Sequence, residues 1–489
     1  MLSTAKQMEE MTSVGIDVGT TTTQMVVSRI SVCNTAPGSM VPHMSITGKE
    51  ILYRSEVYFT PLLTRERIDA QGVTEIIARE YQKAGLGPEQ VDTGAVIITG
   101  ETAKKENARS LSEALAGYAG NFVVATAGPL LESVLAGRGA GAAAMSSEFH
   151  RVVLNIDVGG GTSNLAVFRE GRVIDATCVN IGGRLVELDP GGEFIQYLAP
   201  AAKIILEEGG QCWEVGKGLE LEALKALTVN MARAIRNLLK PGLLPPVTSR
   251  ILMGPSLRLD YPIHYVTFSG GVADFIYSGK EIRNVQECSR FGDIGPLLGR
   301  AIKENFDHES WQLVRPRETL RATVIGAGSH TMNLSGSTID IAPERLPMRN
   351  IPVIKPFPDE VPLSQVEMSQ GLAGQLWPYR SEGFQEPVAI ALKGLGRVGF
   401  KKIQEIAAVI IQVTKDYAKS QPLVLILEED CAKVLGQSLR VLLTRKRCDV
   451  ICLDQIRVED GDYIDIGIPI MDGSTVPVVI KTLIFERDP

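Results

Sequence analysis

Two short segments of this chain carry the same chemistry. Asp17-Val18-Gly19-Thr20-Thr21-Thr22-Thr23-Gln24 is echoed 140 residues later by Asp157-Val158-Gly159-Gly160-Gly161-Thr162-Ser163-Asn164. Each sets a carboxylate at the end of an apolar run and follows it with glycines and hydroxyls. Glycine lets the backbone approach a phosphate, its N–H groups form an anion-binding concavity, and Thr or Ser adds donors. A carboxylate there would repel a bare phosphate. It fits if a hydrated Mg2+ lies between, because Mg2+ keeps several waters and takes one or two carboxylates. Asp17 and Asp157 are therefore the candidate metal-side residues. Gly19, Thr20, Thr21 and Thr22 form one phosphate clamp, and Gly159, Gly160, Gly161 and Thr162 the other. A plain β-hairpin would use Asp and Gly in the same turn, and one copy alone would not decide between the readings. A third feature joins the two copies: Phe268-Ser269-Gly270-Gly271-Val272-Ala273, a strand ending in a double glycine where a helix can begin. Ser269, Gly270 and Gly271 would let a flat base or ribose lie against the backbone.

Such turns must sit at strand ends. Val14 to Ile30 reads as strand, tight turn and strand, and Val91 to Thr99 and Asn121 to Ala125 as further strands. Pro129 to Gly137 reads as a helix with Leu130, Leu131, Val134 and Leu135 on one face. A second strand–turn–strand begins at Val152. A long amphipathic helix follows from about Leu219 to Lys240, stopped by Lys240-Pro241-Gly242. The strand Tyr265 to Phe268 and a helix around Ile294 to Asn305 come next. Thr323 to Ile325 then opens another Gly-rich turn. Gly139-Ala140-Gly141 follows a helix and reads as close backbone packing. The repeat predicts two similar α/β half-domains, 1–150 and 151–340. From about Ala342, six prolines between Pro343 and Pro362 predict an extended linker. Beyond it lie a smaller α/β unit and a strand-rich tail with turns at Asp460-Gly461-Asp462 and Asp472-Gly473. These make up a third part, 341–489.

The composition is that of a soluble globular chain: 489 residues, 44% hydrophobic and 22% charged, too long for one core. No run approaches the roughly 18 uncharged apolar residues of a membrane span. The first eleven residues carry Glu9 and Glu10 and no apolar core, so they do not read as a secretory signal. They are roughly helix-spaced at Leu2, Ala5, Met8 and Met11, which suits either a frayed terminus or an encapsulation tag. Lys and Arg number 50 against 57 Asp and Glu, with no basic block, so nucleic acid is not an expected partner. Seven scattered cysteines suit reduced thiols in a cytosol. Cys448 and Cys452 form a C-x3-C pair with no second pair, which reads as buried thiols rather than a metal site.

The order D-x-G-T-T, D-x-G-G-G-T, S-G-G-V and I-G-A-G resembles the sugar kinase, seventy-kilodalton heat-shock chaperone and actin superfamily over about residues 12–335. The four pieces match its first phosphate, second phosphate, adenosine and second connecting segments. Within it, stretches running nearly end to end resemble the reactivating factors of ethanolamine ammonia-lyase. They include Ser13-Val14-Gly15-Ile16-Asp17, Ile97-Ile98-Thr99-Gly100-Glu101, Leu154-Asn155-Ile156-Asp157, Gly182-Gly183-Arg184, Leu334-Ser335-Gly336-Ser337-Thr338-Ile339 and Gly461-Asp462-Tyr463-Ile464-Asp465-Ile466-Gly467. The resemblance implies an actin-like ATPase fold around a nucleotide cleft, with ATP and Mg2+ as cofactors. The activity it implies is release of damaged cobalamin from the lyase, so that intact adenosylcobalamin can rebind. It implies the cobalamin-bound lyase as partner and leaves open a homo-oligomer and association with a bacterial microcompartment.

On that resemblance Asp17 and Asp157 face each other across the cleft. Gly183 and Gly326 join the nucleotide-binding set, and Arg184 either touches a phosphate or pairs on the surface. One position departs from the chaperones, where a Glu before a Pro positions the attacking water. Here Gly128-Pro129 stands in that place, and Glu101 and Glu132 are the candidate substitutes. Missing that group implies slow hydrolysis, suited to a timer. Gly394-Leu395-Gly396-Arg397-Val398-Gly399 matches a dinucleotide fingerprint, but the acid at Glu428 lies 34 residues on rather than about twenty. A small-molecule kinase and an actin-like structural protein are the competing readings. An iron–sulfur activator would need ligands that Cys178, Cys212 and Cys288 do not supply.

Overall fold

The computed structural model describes residues 8–19, 22–34, 44–64, 67–98, 111, 115, 123–126, 129–189, 191–278, 280–307, 311–330, 332–336, 338–357, 364–381, 387–393, 395, 399–415, 417–419, 421–443, 449–458, 462–469, 473 and 475–481. Two sheets repeat one plan. The first runs, in spatial order, Met44–Arg54, Thr22–Asn34, Met8–Val18, Thr93–Ile98 and Val123–Thr126. Its first three strands form an antiparallel meander and the other two add in parallel. The second runs Arg172–Val179, Ser163–Arg169, Val153–Val158, Tyr265–Ser269 and Gln312–Leu313 with the same directions. The equivalence extends to register. Asp17 lies opposite Gln24, and Asp157 opposite Asn164.

The sequence explains why these strands are central. Every residue of Val153–Val158 is buried, and parallel strands covered on both faces read as continuous apolar runs. Helix Ala70–Ala84 covers the first sheet by setting Val73, Ile77 and Tyr81 against Val14, Ile16 and Val18. The Asp69 carboxylate caps its start by accepting from Gly72 N at 3.1 Å, and Gly85 ends it at φ 68°.

Two helices are exchanged between the halves. Pro129–Ala140 leaves the first sheet and packs on Val153–Val158 and Ser163–Arg169, while Ala322–His330 returns to pack on Met8–Val18 and Thr22–Asn34. They cross almost backbone to backbone. A Cβ at Gly139 would stand 1.7 Å from the Ala322 oxygen, and one at Gly326 would stand 2.0 Å from the Leu135 oxygen. Gly139 and Gly326 serve this crossing. The turn expected after Thr323–Ile325 is thus a helix, because packing overrides the weak strand preference of a β-branched trio. Duplicated sheets and exchanged helices make the expected actin-like architecture.

The third unit has one seven-stranded sheet. Met348–Ile354, Ala389–Leu392, Leu423–Leu427 and Val450–Leu453 are parallel neighbours in chain order, with helices Gln365–Ser381, Phe400–Val413 and Ala432–Leu442 between them. Alternate residues fill two cores. Leu423, Leu425 and Leu427 face the helices, and Val424 and Ile426 face the opposite side with Ile451 and Leu453. Tyr463–Ile466, Pro477–Lys481 and Met332–Leu334 extend the sheet antiparallel. The proline-rich stretch is therefore not simply a linker, since it supplies an inner strand. Pro352 is tolerated where that strand changes from antiparallel pairing with Tyr463 to parallel pairing at Val353. Gly473, at φ 80°, lies in the connection between an antiparallel pair, as expected for a hairpin turn. Asp460, Gly461 and Asp472 lie outside the described residues.

The N-terminal residues are not helical where they are described. Met8 to Met11 belong to the first central strand, and Met11 is buried with Ile30, Val32, Leu334 and Val479. That cluster joins the third unit to the first half.

Candidate functional site

Each glycine turn is closed by the same bond. Gly19 N donates to Thr22 O at 2.9 Å, and Gly159 N donates to Thr162 O at 2.9 Å. In both copies the carboxylate stands one residue before the strand ends, so the turn lies directly beyond it. Thr60 Oγ donates to Gly19 O at 2.8 Å and lies 3.1 Å from Thr23 Oγ, which ties the first turn to strand Tyr58–Phe59. Asp17 is buried and accepts from Gln24 Nε2 at 3.5 Å. Thr20 and Thr21 lie outside the described residues.

The second turn is braced from behind. A Cβ at Gly182 would lie 2.3 Å from the Gly160 oxygen, so only glycine fits. Gly183 N donates to Gly159 O at 3.0 Å and Arg184 N to Gly160 O at 2.6 Å. The Gly183 amide therefore holds the turn's shape. Gly161 is open: nothing lies within 4 Å of the place where its Cβ would stand.

Asp157 sits in a buried chain of hydrogen bonds. Ser269 Oγ donates to Asp157 Oδ1 at 2.5 Å, Asn155 Nδ2 donates to Ser269 Oγ at 3.0 Å, and Thr267 Oγ donates to Asn155 Oδ1 at 2.8 Å. Burial pushes the Asp157 carboxyl up to about 6, and the Ser269 hydroxyl opposes part of that rise. Ser269, expected beside the nucleotide, turns inward instead to hold this carboxylate. Gly270 adopts φ 88° and would set a Cβ 2.4 Å from the Val158 oxygen, so it too is a packing glycine. Gly271 alone of the three faces open space, with Leu320 Cδ1 as its nearest neighbour at 3.8 Å. Helix Ala273–Ser278 begins just after it, as the sequence predicts.

Contacts between the halves link the neighbourhoods of the two turns. Gln24 Nε2, beside Asp17, also donates to Leu320 O at 3.4 Å, and Leu320 borders Gly271 of the other half. Phe59, paired with Thr22, stacks under the Arg184 guanidinium at 5.1 Å. Arg54–Glu318 at 2.6 Å and Arg321 Nη2 donating to Ser55 O at 2.9 Å pin the return connection to the first half.

Gln24 and Asn164 are what the sequence reading missed. Gln24 Oε1 and Asn164 Oδ1 are buried oxygens without a hydrogen-bond partner, and each lies opposite one aspartate. Orphaned buried acceptors are costly. Each pair, one carboxylate and one amide oxygen, offers oxygen ligands of the kind a hard, hydrated cation takes, with water donating to the amide oxygen. The only sequence signal was position, seven residues after each Asp in both repeats.

The other candidates fall elsewhere. Glu101 and Gly128 lie outside the described residues. Glu132 is buried in the first turn of Pro129–Ala140, and Gly326 sits at the helix crossing. Of Gly394–Gly399 only Leu395 and Gly399 are described, between strand Ala389–Leu392 and helix Phe400–Val413. Glu428 pairs with Arg457 at 3.4 Å. Cys452 is fully buried and Cys448 lies outside the described residues. No helix among the described residues is long and apolar enough to cross a membrane.

Residues 9–486 match the family described as ethanolamine utilisation protein EutA. The chain is similar to the ethanolamine ammonia-lyase reactivase EutA of Salmonella typhimurium (strain LT2), 39% identical over 481 residues, covering 97% of this chain and 99% of that protein. The protein of the same name from Escherichia coli (strain K12) is 36% identical over 487 residues, again covering 97% and 99%. Among solved structures, the type II Ppx/GppA phosphatase of Aquifex aeolicus aligns with 65% of this chain and 99% of its own at 14% identity and a TM-score of 0.38. With its paired turns in place and a family match spanning nearly its whole length, the chain belongs to the ethanolamine utilisation protein EutA family.

Proposed function

We propose that this protein is a reactivase of ethanolamine ammonia-lyase that uses Mg-ATP to release damaged cobalamin, so that intact adenosylcobalamin can rebind. The observation that carries this reading is the pair of turns, taken with near-full-length identity to proteins named as such reactivases. Two glycine turns, each behind a buried aspartate, come from different halves of the molecule and are bridged by Gln24, Leu320, Phe59 and Arg184.

The residues divide the work. Gly19 and Thr22 on one side, and Gly159 to Thr162 on the other, offer backbone amides and hydroxyls to phosphate oxygens. Gly271 leaves room for the adenosine. Asp17 and Asp157, with the Gln24 and Asn164 oxygens, would hold the hydrated Mg2+. When bound, that ion neutralises phosphate charge and polarises the bond to be broken. A cation beside Asp157 also favours its ionised form, opposing the burial that raises it. The water-positioning group is assigned to Glu101 on sequence grounds alone, and slow turnover fits a timer better than a metabolic catalyst.

Chemistry becomes motion because each half contributes one turn. A ligand that binds both turns favours one angle between the halves, and a partner preferring that angle is gripped or released as the nucleotide changes. The third unit docks on the first half through Met11, Ile30, Val32, Leu334 and Val479, so it is carried by that half. On this reading it contacts the cobalamin-blocked lyase. ATP hydrolysis should be measured with and without cyanocobalamin-inactivated ethanolamine ammonia-lyase, beside a panel of small alcohols and sugars and a sedimentation test for polymer. Stimulation by the inactivated lyase supports the proposal. Phosphorylation of a panel compound, or nucleotide-dependent polymer without stimulation, overturns it.

A further inference from the structure

The Arg184 side chain is under-used for where it stands. Its backbone is fixed to the second glycine turn by the Arg184 N to Gly160 O bond. A guanidinium offers five donors in a planar fork, and two contacts define this one among the described residues. It lies over the Phe59 ring at 5.1 Å, and Nε stands 3.6 Å from Asp293 Oδ2. Nε is buried and makes no hydrogen bond. Asp293 anchors the start of helix Gly295–Phe306 with its other oxygen, Oδ1, which accepts from Gly295 N at 2.9 Å. Phe59 belongs to the opposite half, pairs with Thr22 of the first turn, and is 64% exposed. The guanidinium thus bridges the walls that carry the two phosphate turns.

We infer that Arg184 is a phosphate-contacting residue for which Phe59 and an incoming polyphosphate compete. A cation over a largely exposed ring is held weakly, whereas a guanidinium binds phosphate oxygens through charge-assisted, bidentate bonds. A polyphosphate entering between the turns therefore draws Arg184 off Phe59. In doing so it exchanges a direct contact between the halves for one that runs through the ligand. The terminal phosphate then decides which contact is made, and loss of that phosphate returns Arg184 to the ring. The inference deepens the nucleotide-binding reading above and rests on it.

The test is calorimetric binding of ATP, ADP and inorganic tripolyphosphate to the full-length protein and to Arg184→Gln, Arg184→Lys and Phe59→Leu. Arg184→Gln should weaken ATP and tripolyphosphate by about tenfold or more, with a smaller loss for ADP. Arg184→Lys keeps the charge and the Asp293 pairing but not the fork, so it should fall between. It also serves if the Gln variant fails to fold. Phe59→Leu should bind ATP at least as well as the unaltered protein. Amide hydrogen exchange without nucleotide gives a second readout: residues 22–23 and 158–162 should exchange faster in both Arg184→Gln and Phe59→Leu. If the unaltered protein binds ATP and Arg184→Gln matches it within twofold, the role of Arg184 is refuted while the nucleotide reading stands. If the unaltered protein binds no ATP, both fall.

Discussion

Replacing Asp157 by Asn should stabilise the protein while stopping its chemistry. Burial moves this carboxyl from 3.8 to about 6. At about 1.36 kcal/mol per unit, that is about 3 kcal/mol of unfavourable energy whenever the group is ionised in the cleft without a cation. Asn matches the shape, and its oxygen still accepts from the Ser269 hydroxyl, but it loses the charge-assisted part of that bond. A net gain of about 1–2 kcal/mol is expected, or roughly 1–2 °C in melting temperature for a chain of this length. The sign follows from linkage. Below about pH 4 the wild-type carboxyl is neutral both folded and unfolded, so the variant has no advantage. Between about 4 and 6 the unfolded carboxyl ionises first and wild-type stability falls, and above 6 the full difference is present. Thermal melts at pH 4, 5, 6 and 7.5 without Mg2+ or nucleotide, beside Mg-ATP hydrolysis at pH 7.5, make the assay. A variant less stable than wild type at pH 7.5, or one with near-normal turnover, would refute this account of Asp157.

Three further outcomes are expected. Gly271→Val should lower ATP affinity at least tenfold, about 1.4 kcal/mol, because its side chain enters the open space beside Leu320; unchanged calorimetric binding in a folded variant would make Ser269–Val272 a structural turn only. Gly182→Ala must push back the Gly160 carbonyl, 2.3 Å from its Cβ; it should cost about 1–3 kcal/mol in denaturant unfolding and weaken ATP binding together with stability. Leu334→Ala thins the cluster joining the third unit to the first half and should leave ATP hydrolysis near normal while lowering lyase reactivation several-fold; equal loss of both activities would remove the third unit from the coupling.

The sequence made the two turns legible because their signals are local. An apolar run, an acid, glycines and hydroxyls define strand and turn without any distant partner, and the second copy excluded coincidence. What escaped it depends on contacts far along the chain. Gln24 and Asn164 matter only once the strand register sets them opposite Asp17 and Asp157. Ser269 was expected beside the nucleotide with its glycines, yet parallel pairing places it opposite Asp157 and its hydroxyl donates to that carboxylate. Gly139 showed its packing role at sequence level. Its counterpart Gly326 did not, because three β-branched or apolar residues disguised a helix whose glycine is required by the Leu135 carbonyl. The prolines after 342 suggested extension, and extension was correct, but one of those segments is an inner strand whose neighbours come from residues 389–392 and 463–466.

The most direct test of the central claim is reactivation itself. Cyanocobalamin-blocked ethanolamine ammonia-lyase should be incubated with the full-length protein and with Asp17→Asn, omitting ATP, Mg2+ or adenosylcobalamin in turn, and recovered ethanolamine deamination measured. The account predicts recovery only with the unaltered protein and all three additions, and at most one round of exchange per molecule with a non-hydrolysable ATP analogue. Recovery without any nucleotide, or equal recovery by Asp17→Asn, would contradict it.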